Sequence, residues 1–302
     1  MTNKTKHLVF IVGPTAIGKT GLGVHLANKY NSEVISCDSR QIYQEMAIGT
    51  AKPTVEEMEG VPHHFVDSHS IFDRYTAGMF ETDALKLIDT LFEKHDVLFA
   101  VGGSGLYVNA LAFGIEDIPF KQEVRDAVIN QWENEGLDKL VAELKEIDPE
   151  YAATADLKNP RRVMRGLEVY KMSGKKYSEW RNTKKKRPFK MHWIGLNTER
   201  ETLYERIHKR VDIMLENGLL EENKELFQHK GLKPLETVGY QEIFKHLEGN
   251  ATLEESIEQL KRNTRVFAKK QITWFKKIQD VKWYAPRDRK QIEMDLVHNL
   301  SK

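Results

Sequence analysis

Gly13-Pro14-Thr15-Ala16-Ile17-Gly18-Lys19-Thr20 matches the pattern G-x-x-x-x-G-K-[ST] at every fixed position. The apolar run 8–12 precedes it, and Leu22, Leu26 and Tyr30 follow at helical spacing. That is the strand–loop–helix setting in which the pattern has physical meaning. The glycines let backbone N–H groups turn inward toward phosphate oxygens. The start of the helix adds the positive end of its dipole. Lys19 supplies a point charge, and the hydroxyl of Thr20 can reach a Mg2+ ion. All eight residues, 13–20, are therefore a candidate cradle for a diphosphate or a nucleotide.

Further apolar runs lie at 33–36, 64–66, 97–101 and 192–196, separated mostly by helical periodicity. Strands alternating with helices predict an α/β fold: a parallel sheet flanked by helices, of the P-loop NTPase type. In such sheets ligands sit beyond the carboxyl ends of the strands. Attention therefore falls on 13–20, 37–41 and 102–105. From 113 to 190 the pattern is helical without a convincing strand, which predicts an all-helical insertion domain. The core would then comprise 1–112 and 191–302, with helices continuing from Arg200 to Gln279.

The 302 residues are 40% hydrophobic and 30% charged, which excludes a disordered or fibrous chain. Cys37 is the single cysteine, so an intrachain disulfide or an all-cysteine metal site is excluded. A lone thiol fits a small buried residue in a reducing, cytoplasmic compartment. No run approaches the roughly 18 apolar residues of a membrane span. Lys plus Arg is 46 and Asp plus Glu is 45, a net charge of only +1. The distribution says more than the total. Residues 113–158 hold twelve acids and five bases, 159–190 hold twelve bases and two acids, and 261–290 hold eleven bases and two acids. Two basic stretches in a near-neutral chain point to a polyanionic partner, although a run such as 184–187 can also be a solvated loop.

NTP hydrolases usually carry a second acid at a strand end to hold Mg2+. Here 97–101 runs into Gly102-Gly103-Ser104-Gly105 with no carboxylate, which suggests a diphosphate rather than a triphosphate. Asp38 follows the second strand within Asp38-Ser39-Arg40-Gln41-Ile42-Tyr43. A lone Asp there is often a cap or turn residue. His63 and His64 are adjacent on a strand and point to opposite faces, which favours a structural role over joint metal ligation.

Taken together, GPTAIGKT (13–20), DSRQIY (38–43), IGTAKP (48–53), VGGSGLY (101–107), PRRVMRGLEVY (160–170), LYERIHKRVDIML (203–215) with ENGLLEE, VGYQE (238–242) and KKQITWFKK (269–277) resemble the tRNA dimethylallyltransferase (isopentenyl-tRNA transferase) family. The motifs span nearly the whole chain in the family's order. Ile17 and Ser104 are small departures from the usual residues. The zinc-finger tail of eukaryotic members is absent, which implies the bacterial type. The resemblance implies transfer of a dimethylallyl group from its diphosphate to N6 of the adenosine on the 3′ side of the anticodon. It implies Mg2+ as cofactor, with dimethylallyl diphosphate and the anticodon stem-loop of tRNA as partners, no membrane, and a monomer.

An adenine amine is a poor nucleophile because its lone pair is delocalised into the ring. A carboxylate such as Asp38 can hold it and take its proton as the C–N bond forms. Charge building on the leaving diphosphate calls for preorganised positive groups: the loop N–H groups, Lys19, Mg2+ held by Thr20 and, by resemblance, Arg210. Arg206 lies one turn before Arg210 as a possible support. Taken alone, either arginine reads as a surface partner of Glu205 or Glu216. By resemblance the tRNA is approached by Asp38, Ser39, Arg40, Gln41, Ser104, Arg125, Arg161, Arg162, Val163, Met164, Arg165, Gly239, Tyr240, Lys269, Lys270, Gln271 and Trp274. The residues themselves place Arg161 and Arg165 on one helix face. Arg262, Arg265, Lys269 and Lys276 form a second cationic stripe. Two other readings exist: a P-loop nucleotide kinase leaves IGTAKP and the basic insertion unexplained, and a nucleotide-gated RNA-binding protein leaves Asp38 unexplained.

Overall fold

The computed structural model describes residues 5–116, 118, 120–180 and 185–301. Arg181 and Lys184, counted in the basic stretch above, lie outside them. Six strands, β1 (His7–Val12), β2 (Val34–Ser36), β3 (His63–His64), β4 (Val97–Gly102), β5 (Lys190–Leu196) and β6 (Lys282–Tyr284), form one parallel sheet in the order β3-β2-β4-β1-β5-β6. Every residue of β1 is buried, as a central parallel strand covered on both faces requires. The helix Lys19–Lys29 sets Leu22, Leu26 and Ala27 into the same apolar cluster as Val9, Ile11 and Phe99.

Two strand expectations need correction. The run 64–66 pairs only as His63–His64, because Phe65 (φ 60°) and Asp67 (φ 53°) adopt left-handed backbone that leaves the sheet. Neither histidine is spare: His63 bonds Val61 O at 2.8 Å, and His64 meets the Glu33 carboxylate at 2.6 Å. The strand β6 was not expected. Three residues at a sheet edge, partly exposed and directly after a long basic helix, give too short a pattern to be read from periodicity.

The chain divides into two compact units, Met1–Ala112 with Arg187–Lys302, and Phe113–Lys186. The smaller unit is built from the helices Gln122–Glu135, Leu137–Ile147, Pro149–Thr154, Pro160–Ser173 and Tyr177–Trp180. Its core comprises Val128, Leu140, Leu144, Tyr151, Val163, Met164 and Leu167. Asp148 ties two of its helices together by accepting from Tyr151 N at 3.0 Å and Ser178 N at 2.8 Å. Among the described residues, no helix is long and apolar enough to cross a membrane.

In the larger unit, Arg187 marks where the chain returns from the insertion. Its guanidinium donates to Leu111 O (2.9 Å), Ala110 O (2.7 Å) and the Glu81 carboxylate (2.8 Å), and both side chains are almost fully buried. Removing one partner of such a buried pair is far costlier than losing a surface ion pair. Arg187→Ala should therefore cost about 3–5 kcal/mol of stability in urea unfolding. A loss below about 1 kcal/mol, the size of a surface pair, would contradict this anchoring role.

Candidate active site

Strand register brings three loops to one edge of the sheet. Val12 of β1 pairs with Gly102 of β4, so the loops after both strands leave side by side. Cys37 N continues the β2–β4 ladder by bonding Val101 O at 2.8 Å, which delivers Asp38 to the same edge. Cys37 itself is fully buried, and burial pushes its thiol far up from its ordinary range.

Within 13–20, Ala16 (φ 61°) and Gly18 (φ 101°) take left-handed backbone, and Gly18 caps the helix Lys19–Lys29. The Lys19 ammonium folds back to donate to Pro14 O at 2.7 Å. The side chain keeps some exposure, but its surroundings exclude most water. Burial above all, together with the nearby Arg210 and opposed by Asp38, brings its pKa down to about 7. A lysine that touches both an arginine and a carboxylate electrostatically places all three in one field.

Arg210, on the helix Arg200–Glu216, does not form the surface ion pair its sequence neighbours allow. It donates to Thr15 Oγ1 at 3.1 Å and to Ala51 O at 3.3 Å. Burial lowers its pKa, opposed by Asp38 and Glu57. Arg206 donates to Ile17 O at 3.3 Å. Both arginines thus touch the phosphate loop itself.

Asp38 Oδ1 accepts from Arg40 N (2.9 Å) and Gln41 N (3.3 Å), which orients the carboxylate through a local turn. Neither bond uses Oδ2. Ser104 Oγ accepts from Ser39 N at 3.0 Å and donates to Ser39 Oγ at 3.2 Å, joining the loops after β2 and β4. The amide of Gln41 donates to Thr50 O (3.2 Å) and Ala51 O (3.0 Å). The Arg40 guanidinium reaches only Ser39 O, at 3.4 Å.

Several residues expected to face RNA are differently placed. Gln271 is buried: it accepts from Thr15 N at 2.8 Å and donates to Gly103 O at 2.9 Å, bridging the two glycine loops. Tyr240 is completely buried under the 48–53 loop, with Gly239 beside it. Val163 and Met164 point into the core of the helical unit, because the inward stripe of an amphipathic helix must be filled. Arg265 is also not free; it meets His208 and lies over the Tyr204 ring. By contrast Lys269 and Lys270 are exposed, and Trp274 is 38% exposed with its indole against Gly105. In the helical unit, Arg161 and Arg162 are exposed and Arg125 half-buried, while Arg165 lies 3.6 Å from Glu168.

The residue that sequence reading missed is Glu222. Its carboxylate accepts from Ala47, Ile48 and Gly49 N–H and from the Tyr240 hydroxyl. The only hint was the recurrence of acids in 216–222, a pattern that equally suits a solvated helix end.

A phosphate cradle at the mouth of a parallel sheet, beside an isolated carboxylate, defines a P-loop group-transfer enzyme. The sequence profile of the IPP transferase family matches residues 41–278. A tRNA dimethylallyltransferase of Cytophaga hutchinsonii is 50% identical over 95% of both chains. A tRNA dimethylallyltransferase 1 of Bacteroides fragilis is 45% identical over 97% of both. The crystal structure of a tRNA isopentenylpyrophosphate transferase from Bacillus halodurans superposes with a TM-score of 0.73 at 40% identity, over 99% of this chain and 97% of that one. A eukaryotic dimethylallyltransferase acting on tRNA superposes at 0.78 with 28% identity, over 93% of this chain and 74% of that one. The chain belongs to the IPP transferase family.

The pKa of Lys19 near 7 has a measurable consequence. A bound phosphate anion favours the charged ammonium and raises that pKa, so binding above pH 7 takes up protons and weakens as pH rises. Calorimetry with an alkyl diphosphate at pH 8, in buffers of different ionisation heat, should show uptake of up to about one proton per site. Lys19→Met should abolish the uptake. Proton-neutral binding by the unaltered protein would contradict the lowered pKa of Lys19.

Proposed function

We propose that this chain transfers a dimethylallyl group from dimethylallyl diphosphate to N6 of the adenosine 3′-adjacent to the tRNA anticodon. The observation that carries the reading is geometric: one sheet edge brings the phosphate loop, which Arg210 bonds through Thr15 Oγ1, beside Asp38, whose Oδ1 is held by the Arg40 and Gln41 N–H groups. Loop N–H groups, Lys19 and Arg210 hold the diphosphate. Asp38 Oδ2 accepts the N6 hydrogen. The allylic C1–O bond breaks as N6–C1 forms, the electron pair leaves with the diphosphate, and the N6 proton passes to Asp38.

Mg2+ fits this site only through the substrate. Among the described residues, no group of three His, Cys, Asp or Glu side chains is placed to hold a metal. Thr20 offers one hydroxyl, so the diphosphate oxygens and water would supply the other ligands, as hard Mg2+ prefers. The ion would offset charge on the leaving group.

The target base must leave its stack, at a cost of a few kcal/mol that new contacts offset. Gln41 and Ser39 flank Asp38 to receive it. Trp274, half-exposed beside Gly105, offers an aromatic face. Lys269 and Lys270, with Arg161, Arg162 and Arg165 of the helical unit, supply phosphate contacts that position the RNA without reading its sequence. The protein works as a monomer in the cytoplasm, where its substrates are.

Incubation with unmodified tRNA and labelled dimethylallyl diphosphate should place label on that adenosine. Phosphoryl transfer from ATP to a nucleoside in place of labelling would favour a kinase. Asp38→Ala should lower turnover by about two to four powers of ten, the worth of a general base, with donor affinity little changed. Near-normal turnover would remove Asp38 from the chemistry. Mg2+ alone should bind weakly and tighten on adding the donor; tight binding to the free protein would show a dedicated protein site instead.

A further inference from the structure

IGTAKP, ENGLLEE and VGYQE have no part in the chemistry just described, yet the fold brings all three together. The chain at 47–49 presents three successive N–H groups to one carboxylate. Glu222 Oε2 accepts from Ala47 N (2.9 Å) and Ile48 N (2.7 Å), and Oε1 accepts from Gly49 N (2.8 Å) and the Tyr240 hydroxyl (2.8 Å). Successive amides converging on an anion form a compact, strongly bonded nest. The space is closed behind it. A side chain at Gly49 would meet the Tyr240 ring at 2.6 Å, and one at Gly239 would meet Gly49 O at 2.8 Å.

The other side of the same loop faces the reaction. The two carbonyls after the nest, Thr50 O and Ala51 O, accept from Gln41 Nε2, and Ala51 O also accepts from Arg210 Nη2. Ala51 has φ 46°, a conformation costly for a residue with a Cβ, and it persists only where its surroundings impose it. Here Ala51 N donates to Ile48 O at 2.9 Å and Lys52 N to Ala47 O at 3.0 Å, so the turn that carries Ala51 is tied to the residues whose N–H groups Glu222 holds. One peptide carbonyl thus accepts from both the Gln41 amide and the Arg210 guanidinium, and the turn that presents it is anchored three to four residues earlier on the Glu222 carboxylate.

We infer that Glu222 is a positioning residue for the transfer reaction: through the 47–51 loop it sets the placement of Gln41 relative to Arg210, and hence of the adenine relative to the allylic diphosphate. The inference rests on the reaction proposed above. Small misplacements are expensive in such a step, since about 1 Å can cost two powers of ten. Nothing in the arrangement requires Glu222 to touch either substrate.

The test uses the full chain and a double-mutant cycle. Glu222→Gln keeps the shape but replaces one accepting oxygen with an NH2 that opposes the loop N–H groups. It should lower kcat per folded molecule by about 10- to 100-fold, the cost of misplacement. KM for the donor and for tRNA should move less. In a Gln41→Ala background the same substitution should cost clearly less than it does alone, because the part of its effect that runs through Gln41 is already lost. Tyr240→Phe, which removes one bond to Oε1, should move kcat in the same direction by a smaller factor and covers the case in which Glu222→Gln does not fold. Three results would overturn the inference: unaltered kcat in Glu222→Gln, a full and additive loss in the Gln41→Ala background, or unaltered kcat in a folded Tyr240→Phe when Glu222→Gln does not fold. Each is distinct from failure of the proposed reaction, in which the unaltered protein would not label tRNA at all.

Discussion

Everything at the site depends on the hydrogen-bonded register of β1 between β4 and β5. Because Val12 is level with Gly102, and Cys37 N extends the ladder to Val101 O, three glycine- or aspartate-bearing loops leave the sheet at one height. A one-residue slip would send every side chain of β1 to the opposite face of the sheet. All six residues of β1 are buried, so both of its faces are packed and such a slip would force the layers on both sides to repack. Phosphate loop and carboxylate are thus held together by the sheet, and their relation needs no flexible element to create it.

On that frame, the site is assembled largely by side chains that bond to the backbone of neighbouring loops. Gln271 bridges Thr15 N–H and Gly103 O, Arg210 bridges Thr15 Oγ1 and Ala51 O, and Ser104 bridges the loops after β2 and β4. Bonds of this kind fix loop conformation directly, whereas ion pairs between side chains leave the backbone free. The helix Leu253–Phe275 contributes in two ways at once. Its buried Gln271 steadies the phosphate loop, while Lys269, Lys270 and Trp274 face outward. The RNA contact proposed for the outer face and the bond to the phosphate loop on the inner face therefore belong to one helix.

The parallel sheet and the phosphate loop were legible in the sequence because both have strict local signatures: short apolar runs, turn glycines, and Lys-Thr at a helix start. Asp38 was legible from its place after a strand and from its family motif. Where the side chains of Tyr240 and Gln271 point was not legible, because a motif shows that a residue matters and not which way it points, whereas the helical spacing of Val163 already marks an inward position. All three are interior, and two of them hold loops in place. Glu222 stands in the ENGLLEE motif, but its role was illegible because three of its four partners are backbone N–H groups 173–175 residues away, which leave no trace in side-chain chemistry. The edge strand β6 was hidden by its brevity.

The central claim is that one sheet edge holds a diphosphate in the 13–20 loop and an unstacked adenine at Asp38 at the same time. The most direct measurement is a crystal structure of the protein with an anticodon stem-loop and a non-hydrolysable dimethylallyl diphosphate analogue. The account predicts phosphate oxygens on the loop N–H groups and Lys19, Arg210 against the same diphosphate, and adenine N6 within hydrogen-bonding distance of Asp38 Oδ2. A diphosphate bound away from residues 13–20, or an adenine whose N6 lies far from Asp38, would contradict it.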